Sequence, residues 1–285
     1  MIRILYMSDL HIEMERWRLK MPGWVEYLRR HFDLPGHPKR GPLLPAPGSA
    51  DLAVLAGDIH VGLRSLVYAE QVAAYLGVKV ALVAGNHEYY HQHMDLLEPA
   101  FFGNAAHTGG AVAFLENTVA SYSINGERLH VLGCTLWTDY ALRGDVGTAM
   151  DFARTHMNDH RLIRRVSSLF RPEDALARHE KSRAWLHVTL ARLRAAEPQA
   201  KLVVVTHHAP DQAFLGPRGG RVAASYASGL LEEFAGYGVS AWVHGHTHYR
   251  HESEAAGMKV VSAPRGYVMH EGQRALEFCP GILEI

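Results

Sequence analysis

Five short polar segments of this 285-residue sequence bring Asp, Asn and His together at close spacing. In chain order they contain Asp9 and His11, Asp58, Asn86 with His87, His207, and His246 with His248. In a D-x-H or H-x-H pair on an extended segment, the two side chains point to the same side of the chain. Carboxylate, amide and imidazole donors suit Mn, Fe, Zn and related ions. These residue types therefore indicate a metal site, and the lack of cysteine among them argues against a Cys-rich structural zinc site.

Each polar segment comes directly after an apolar run that predicts a buried strand, since such runs are rich in Val, Ile, Leu and Ala and end at glycine or polar residues. The predicted strands are Ile2–Ser8, Asp51–Ala56, Lys79–Ala84, Val119–Ile124, Leu129–Cys134, Leu202–Thr206, Ala241–His244, Lys259–Ser262 and Ile282–Ile285. Ligands of open α/β sheets bind beyond the carboxyl ends of strands. We therefore expect the five polar segments to converge, with Gly57, Gly85 and Gly245 allowing tight turns there.

The connections between these strands indicate an α/β fold with two elaborations. Helical spacing over Arg64–Leu76 predicts a strand–helix–strand unit, and Asn125-Gly126 predicts a two-residue hairpin turn. Residues 14–50 hold six of the thirteen prolines, which predicts a long loop insertion. Residues 139–198 are predicted to be a mostly helical insertion. We expect one domain over residues 1–285 with these two insertions.

Composition narrows the classes of protein that fit the sequence. Lys+Arg and Asp+Glu number 29 each, so the formal net charge of zero argues against a broad basic surface for nucleic-acid polymers or anionic membranes. Two cysteines do not make a disulfide framework. The apolar run at the N-terminus is too short for a signal-peptide core, and no run approaches the length of a membrane span. We therefore expect a cytoplasmic protein that acts on a small molecule.

The order D-x-H, G-D, G-N-H-E, H and G-H-x-H, over residues 9 to 248, resembles the calcineurin-like metallophosphoesterase superfamily. Among its members the chain is most similar to bacterial metallophosphoesterases of unassigned substrate, which it matches at T-H-H-A-P (206–210) and P-R-G-Y (264–267). The resemblance implies an αββα sandwich with mixed central sheets and a helical elaboration. It also implies hydrolysis of a small phosphodiester or phosphomonoester.

The resemblance further implies a site for two metal ions, with Mn²⁺ expected and Fe or Zn as alternatives, because O/N donor sets accept all three. Asp9, His11 and His248 would hold one ion, Asn86, His207 and His246 the other, and Asp58 would bridge the two ions. A metal-bridging hydroxide would attack phosphorus, and the metals would offset charge on the phosphoryl oxygens. His87, a non-ligand, would act as general acid toward the leaving oxygen.

Two departures from the family pattern bear on the choice of function. The family often has a second Asp three residues after the bridging Asp, where it can orient the catalytic His, but this chain has Val61 there. The arginines that Ser/Thr protein phosphatases carry beside these motifs are replaced by Val61-Gly62 and Ala84. The missing arginines make a protein phosphatase a weaker alternative, and a nuclease of the same fold is a further one. A non-catalytic scaffold is the third alternative, although scaffolds of this fold lose ligands that are all present here.

Substrate contacts are predicted at Asn158, His160, Arg161 and Arg265. The first three belong to a polar set that interrupts a helical stretch, and an arginine can bind phosphate through two hydrogen bonds. Further candidates for substrate contact are Arg16, Arg18, Tyr89 and the rest of 154–165. Residues next to the ligands are expected to support or pack against them, namely His60, His208, His244, Glu88 and Tyr89. The default for His91, His93 and His107 is a solvated face.

Overall fold

A computed structural model describes residues 1–15, 36–38, 40–217 and 219–285 of the chain. Its first sheet has five strands in the order β11-β1-β2-β3-β4. These strands are β1 (Arg3–Met7), β2 (Leu52–Ala56), β3 (Lys79–Val83), β4 (Val112–Leu115) and β11 (Gly281–Glu284). The pairs from β1 to β4 are parallel, and only β11 at the edge is antiparallel to its neighbour.

The second sheet has six strands in the order β5-β6-β7-β8-β10-β9. They are β5 (Thr118–Ile124), β6 (Glu127–Cys134), β7 (Lys201–Thr206), β8 (Ala241–Val243), β9 (His251–Ala255) and β10 (Met258–Ser262). The central pairs are parallel, whereas β5 and β9 pair antiparallel at the two edges. Both sheets are therefore mixed, and the carboxyl ends of their parallel strands lie at one edge of each sheet.

The helices connect and cover the sheets. They are α1 (Arg64–Leu76), α2 (Met94–Ala106), α3 (Val146–His156), α4 (Asp159–Leu162), α5 (Pro172–Ala196), α6 (Leu231–Phe234), α7 (Val268–Glu271) and α8 (Gln273–Leu276). Short 3-10 turns lie at His87–Tyr89, Gln212–Phe214, Gly220–Ser225 and Ala235–Tyr237. No helix within the described ranges is both long enough and apolar enough to cross a membrane.

Alternation along the strands builds the layers. Ile4 and Tyr6 of β1 pack between the two sheets, with apolar residues of β2, β7 and β8. Leu5 and Met7, which point the other way, join the cluster that buries α1 and α2. The outer face of the second sheet is buried against α5 in the same manner. The result is the four-layer αββα sandwich with mixed central sheets that the sequence predicts.

The elements agree with the predicted ones in position and type, with two exceptions. All nine predicted strands are confirmed, as is the helix over Arg64–Leu76. The hairpin at Asn125-Gly126 is also confirmed, with both residues at positive φ. The predictions missed β4, which has four residues, and β9, whose polar sequence HESEA is mostly exposed and lacks apolar alternation. Helices α3, α4 and α5 occupy the predicted helical insertion.

The predicted loop insertion at 14–50 is described only in part. Residues 16–35 and 39 of this segment lie outside the described residues, and the candidate contacts Arg16 and Arg18 are among them. Residues 40–50 form turns and irregular structure next to the first sheet. The division of residues 1–285 into one domain with two insertions stays a prediction.

Candidate metal centre

The five polar segments meet where the two sheets present the carboxyl ends of their parallel strands. The first sheet contributes the residues after β1, β2 and β3, and the second sheet contributes those after β7 and β8. Six of the seven predicted ligands are buried, and His248 is partly exposed. The structure therefore brings all seven side chains together from five strand ends.

The first group of donors contains Asp9, His11 and His248, whose ligand atoms lie within 4.8 Å of one another. The Nε2 atoms of the two histidines are 3.1 Å apart, and Nε2 of His248 lies 3.3 Å from Oδ1 of Asp9. The backbone N–H of His246 donates to both oxygens of Asp9, at 3.0 and 3.1 Å. This bond fixes the carboxylate in front of the two imidazoles.

The second group contains Asn86, His207 and His246, and Asp58 lies between the two groups. Nε2 of His207 is 3.0 Å from Oδ1 of Asn86 and 3.4 Å from Oδ1 of Asp58. The other oxygen of Asp58, Oδ2, is 3.8 Å from Nε2 of His11 in the first group. Each carboxylate oxygen of Asp58 thus faces a different group of donors.

These donor atoms fit a pair of cations. The buried carboxylate oxygens lie close together, so positive charge among them would lower their mutual repulsion. Burial lowers the pKa of His207, but the charges of Asp58 and Asp9 outweigh burial and raise the pKa to about 10. A site that draws a proton in this way would hold a metal ion with the same donors.

Neighbouring groups orient the ligand side chains. Nδ1 of His207 bonds the carbonyl of Ala56 at 2.9 Å, which leaves Nε2 free to face the site. The amide nitrogen of Asn86 donates to Oδ1 of Asp159 at 2.8 Å and to the hydroxyl of Tyr90 at 2.9 Å. The oxygen of Asn86 is therefore turned toward His207 and Asp58.

Glu88, which follows Asn86 and His87, forms hydrogen bonds with the turns after β2 and after β3. Its buried carboxylate accepts hydrogen bonds from the backbone N–H groups of Asp58 (2.9 Å), Ile59 (2.8 Å) and Gly85 (2.7 Å). Burial and the charge of Asp58 raise the pKa of Glu88 to about 7, while these backbone N–H groups favour its ionised form. Glu88 therefore supports the site from behind, as expected for a neighbour of the ligands.

Backbone strain is concentrated at the predicted ligands. Five of the seven predicted ligand residues adopt the left-handed region, with φ between 47° and 68°, namely Asp9, His11, Asp58, His246 and His248. A non-glycine residue held there costs on the order of 1–3 kcal/mol and persists only where the surroundings fix it. This concentration is typical of a functional site.

The glycines at the strand ends have two different roles. Gly57 has φ of 84° and so permits the expected turn. Gly85 and Gly245 do not have positive φ; what they provide is space. A Cβ at Gly245 would lie 2.8 Å from Oδ2 of Asp9, and one at Gly85 would meet Asp58 and His207. Only glycine leaves room there for the ligand side chains.

His87 lies beside Asp58 and is held at both ring nitrogens. Nδ1 is 3.0 Å from Oε1 of Glu13, and Nε2 is 2.8 Å from the hydroxyl of Tyr267 and 3.9 Å from Oδ2 of Asp58. Burial lowers the pKa of His87, but the charges of Asp58 and Glu13 raise it to about 9. Burial raises the pKa of Glu13, and the hydrogen bonds of His11 and His87 then lower it to about 2.

Glu13 occupies the orienting position that Val61 leaves vacant, and the sequence analysis missed it. The signal was present, because Glu13 stands two residues after His11 and extends the pair to D-x-H-x-E. Asp159 was missed in a different way. The sequence analysis selected its segment for substrate binding and named its neighbours Asn158, His160 and Arg161 as contacts, but not Asp159 itself.

The four predicted substrate contacts differ in location. Asn158 is exposed and lines the cavity at the metal centre, and it accepts a hydrogen bond from Arg161 at 2.7 Å. His160 is buried between Tyr140 and the carbonyl of Phe170 and does not line that cavity.

Arg265 is enclosed, and its guanidinium pairs with Glu15 at 2.7 Å and with the carbonyl of Leu10 at 3.1 Å. Neither His160 nor Arg265 is among the described residues that line the two cavities at the metal centre. A substrate contact at either residue stays a prediction.

The remaining histidines mostly make structural contacts. His208 bonds the carbonyl of Thr135 and packs on His246, and Nε2 of His244 lies 2.9 Å from Nε2 of His251. Tyr89 is buried and donates to Glu98. The exposed His93 and His107 bond backbone carbonyls, whereas His91 is exposed and lines a cavity beside His87, as the buried His60 also does.

The described residues line two cavities at the centre. A small cavity of about 120 Å³ lies over the ligands, between Asp58, Asn86, His246 and His248. A larger cavity of about 780 Å³ extends from His87 and Tyr267 away from the ligands. His87 lines both cavities, so a molecule bound across them would present its central atoms to this imidazole.

Comparison with known proteins agrees with this geometry. The family model described as calcineurin-like phosphoesterase matches residues 2–250. A phosphopantetheinyl hydrolase from Mycobacterium tuberculosis aligns over 95% of this chain and 92% of its own, with a TM-score of 0.66 and 16% identity, which supports the fold alone. A putative 5'-nucleotidase from Staphylococcus aureus aligns over 92% of this chain and 48% of its own, with a TM-score of 0.49 and 14% identity. No curated protein matches the sequence.

Proposed function

Because the chain belongs to the calcineurin-like phosphoesterase family, whose members hydrolyse phosphoric esters with the help of metal ions, we propose that it is a two-metal hydrolase of a small phosphodiester or phosphomonoester. The position of Asp58 carries the proposal. Its two carboxylate oxygens face His207 on one side and His11 on the other, at 3.4 and 3.8 Å. A single carboxylate between two donor groups suits a pair of adjacent cations.

In this proposal Asp9, His11 and His248 hold one ion and Asn86, His207 and His246 hold the other, with Asp58 between them. The proposed ions are Mn²⁺, with Fe or Zn as alternatives. When bound, they would activate water for attack on phosphorus and offset negative charge on the phosphoryl oxygens.

His87 is the proposed general acid, and the other groups around it set its position. The imidazole would donate a proton from Nε2 to the departing oxygen. Glu13 at Nδ1 favours the protonated ring and fixes its orientation, while Tyr267 holds Nε2 toward the cavity. Contact of the His87 ring with the tilted ring of Tyr90, at 4.2 Å between ring centroids, limits rotation of the imidazole.

The alternatives are two enzymes of the same fold with other substrates and a non-catalytic scaffold. A protein phosphatase is less well supported, since Val61-Gly62 and Ala84 stand where its arginines would be. A polymer nuclease would need a basic track, and the zero formal net charge gives that reading no support. A non-catalytic scaffold would not need the full set of buried donors.

The decisive experiment is elemental analysis of the purified protein beside a Mn²⁺-supplemented assay with bis(p-nitrophenyl) phosphate and p-nitrophenyl phosphate. We expect close to two ions per chain and turnover of at least one substrate. Diesterase activity would favour nucleotide or lipid phosphodiesters, and monoesterase activity alone would favour phosphatases. A protein that neither binds metal nor turns over either substrate after reconstitution would contradict the proposal.

A further inference from the structure

The cavity of about 780 Å³ beside His87 is large enough for a small organic molecule, and its two ends differ in chemistry. At the inner end it meets His87, Tyr90 and Tyr267, next to the metal centre. Arg40, Arg64 and His60 line this cavity but not the smaller one over the metal centre, and the proposed chemistry does not use them; these three residues define what we call its outer end. A substrate that fills the cavity would place a part that does not react against them.

Positive charge gathers at this outer end. Arg40 and Arg64 are exposed, and neither forms an ion pair with any residue in the described part of the chain. Arg64 is also the first residue of α1, whose N-cap, Leu63, has no side chain that could accept from the first-turn N–H groups. Guanidinium groups and the positive end of a helix both favour an anion.

His60 also borders this cavity, with a side chain that is 7% exposed. Its Nδ1 is enclosed and has no hydrogen-bond partner among the described residues, so this atom does not face the cavity. His60 therefore forms part of the wall, and the two guanidinium groups supply the positive charge there.

One carboxylate stands against the two guanidinium groups in the cavity wall. Glu13 is the one carboxylate among the described lining residues, and its Oε1 is engaged by His87. Apolar side chains of the same wall, such as Val61, Leu162 and Val268, offer a surface for an alkyl or other apolar linker. The exposed His91 and His270 border the opening.

We propose that the outer end is a subsite for a second anionic group of the phosphate class, carried by the leaving group of the substrate and bound by Arg40 and Arg64. This inference rests on the proposed function, since it is His87, at the inner end, that would protonate the leaving oxygen. The substrate would then be a phosphoric ester whose alcohol portion has an apolar linker that ends in another phosphate.

The test compares esters that differ only in the second anion. Butane-1,4-diol bisphosphate and n-butyl phosphate form one pair, and their methyl diesters form the other, so that both ester types are covered. With Mn²⁺-loaded protein we expect kcat/KM to be at least ten times higher for the doubly phosphorylated member of the pair that is turned over. Bis(p-nitrophenyl) phosphate and p-nitrophenyl phosphate report separately whether the metal centre is active.

Variants identify the subsite. In Arg40→Gln/Arg64→Gln we expect the preference for the second anion to fall to less than threefold. The matched control, Lys181→Gln/Arg192→Gln, removes two exposed charges on α5 and should keep the preference of the wild-type protein. An active protein without the preference, or a preference that survives in Arg40→Gln/Arg64→Gln, overturns the subsite. Absence of turnover on every ester overturns the proposed function, and the subsite with it.

Discussion

Replacement of Gly85 by alanine adds one methyl group at the most crowded point of the metal centre. Its Cβ would lie 2.6 Å from the backbone nitrogen of Asp58 and 2.7 Å from Cε1 of His207, and it would also meet Oδ1 of Asp58. The backbone of Asp58 cannot retreat easily, because its N–H is bound by the buried carboxylate of Glu88. The methyl group must therefore displace the proposed bridging ligand or the turn that carries it.

The expected magnitudes follow from this crowding. Inserting a methyl group into a packed interior typically costs about 1–3 kcal/mol of unfolding free energy. Displacing the groups that position metal ligands typically lowers metal affinity about 10- to 100-fold. A shift of about 1 Å in the reacting groups costs on the order of 100-fold in rate. We therefore expect Gly85→Ala to lose stability, metal affinity and turnover together.

Gly103 offers the matched control, since it lies on the exposed face of α2 and a Cβ there would meet no atom within 4 Å. Alanine is favoured over glycine in a helix interior by about 1 kcal/mol. Gly103→Ala should therefore raise the unfolding free energy and leave metal binding alone. The same chemical change is expected to have opposite signs at the two positions.

The assay is urea unfolding of both variants with and without Mn²⁺, combined with calorimetric titration of Mn²⁺ and turnover of a nitrophenyl ester. If Gly85→Ala bound both ions with wild-type affinity and kept wild-type turnover, the close contact between Gly85 and Asp58 would not shape the centre, and the reasoning above would be refuted.

Three further predictions concern groups around the centre. Glu13→Gln should slow hydrolysis of poor leaving groups about 10-fold and that of nitrophenyl esters far less, because only poor leaving groups need the proton of His87; equal slowing in steady-state assays would contradict this. Asp159→Ala should weaken one of the two ions about 10- to 100-fold by releasing Asn86, and metal titration that shows two unchanged sites would refute that role. Arg265→Met should lower the unfolding free energy by about 3–5 kcal/mol because it removes the guanidinium that pairs with the buried carboxylate of Glu15, whereas KM should stay constant; a raised KM in a fully stable variant would support the predicted substrate contact.

The sequence allowed prediction of those parts of the centre that follow from local order. Strand ends in parallel sheets share an edge, so residues such as Asp9, Asp58 and His207 could be placed together before any coordinates were known. The short apolar runs indicated the buried strands, whereas the αββα arrangement of the layers was expected from the family resemblance. Strand β9 was not predicted, because an exposed edge strand needs no apolar alternation.

Other parts depend on three-dimensional detail that residue type does not encode. Near α4, the sequence indicated a polar segment but not which side chain turns inward, and Asp159 does so by virtue of the helix phase. An arginine near the centre fits phosphate binding or a buried ion pair equally well, and Arg265 makes the latter. The role of Glu13 arises only when β1 and β3 lie near each other, which brings its carboxylate to His87.

The distance along the chain between the donors of one ion has a consequence for unfolding. His11 and His248 are separated by 237 positions, yet their Nε2 atoms lie 3.1 Å apart, and they come from different sheets. An ion shared between them would act as a cross-link. Closing a loop of that length lowers the entropy of the unfolded chain, which raises its free energy by on the order of 5 kcal/mol at 25 °C. Both cysteines are free, so no disulfide supplies such a link. The two sheets of the loaded protein would then separate only after the ion leaves, and a metal-depleted chain should be cleaved by proteases much faster than the loaded one.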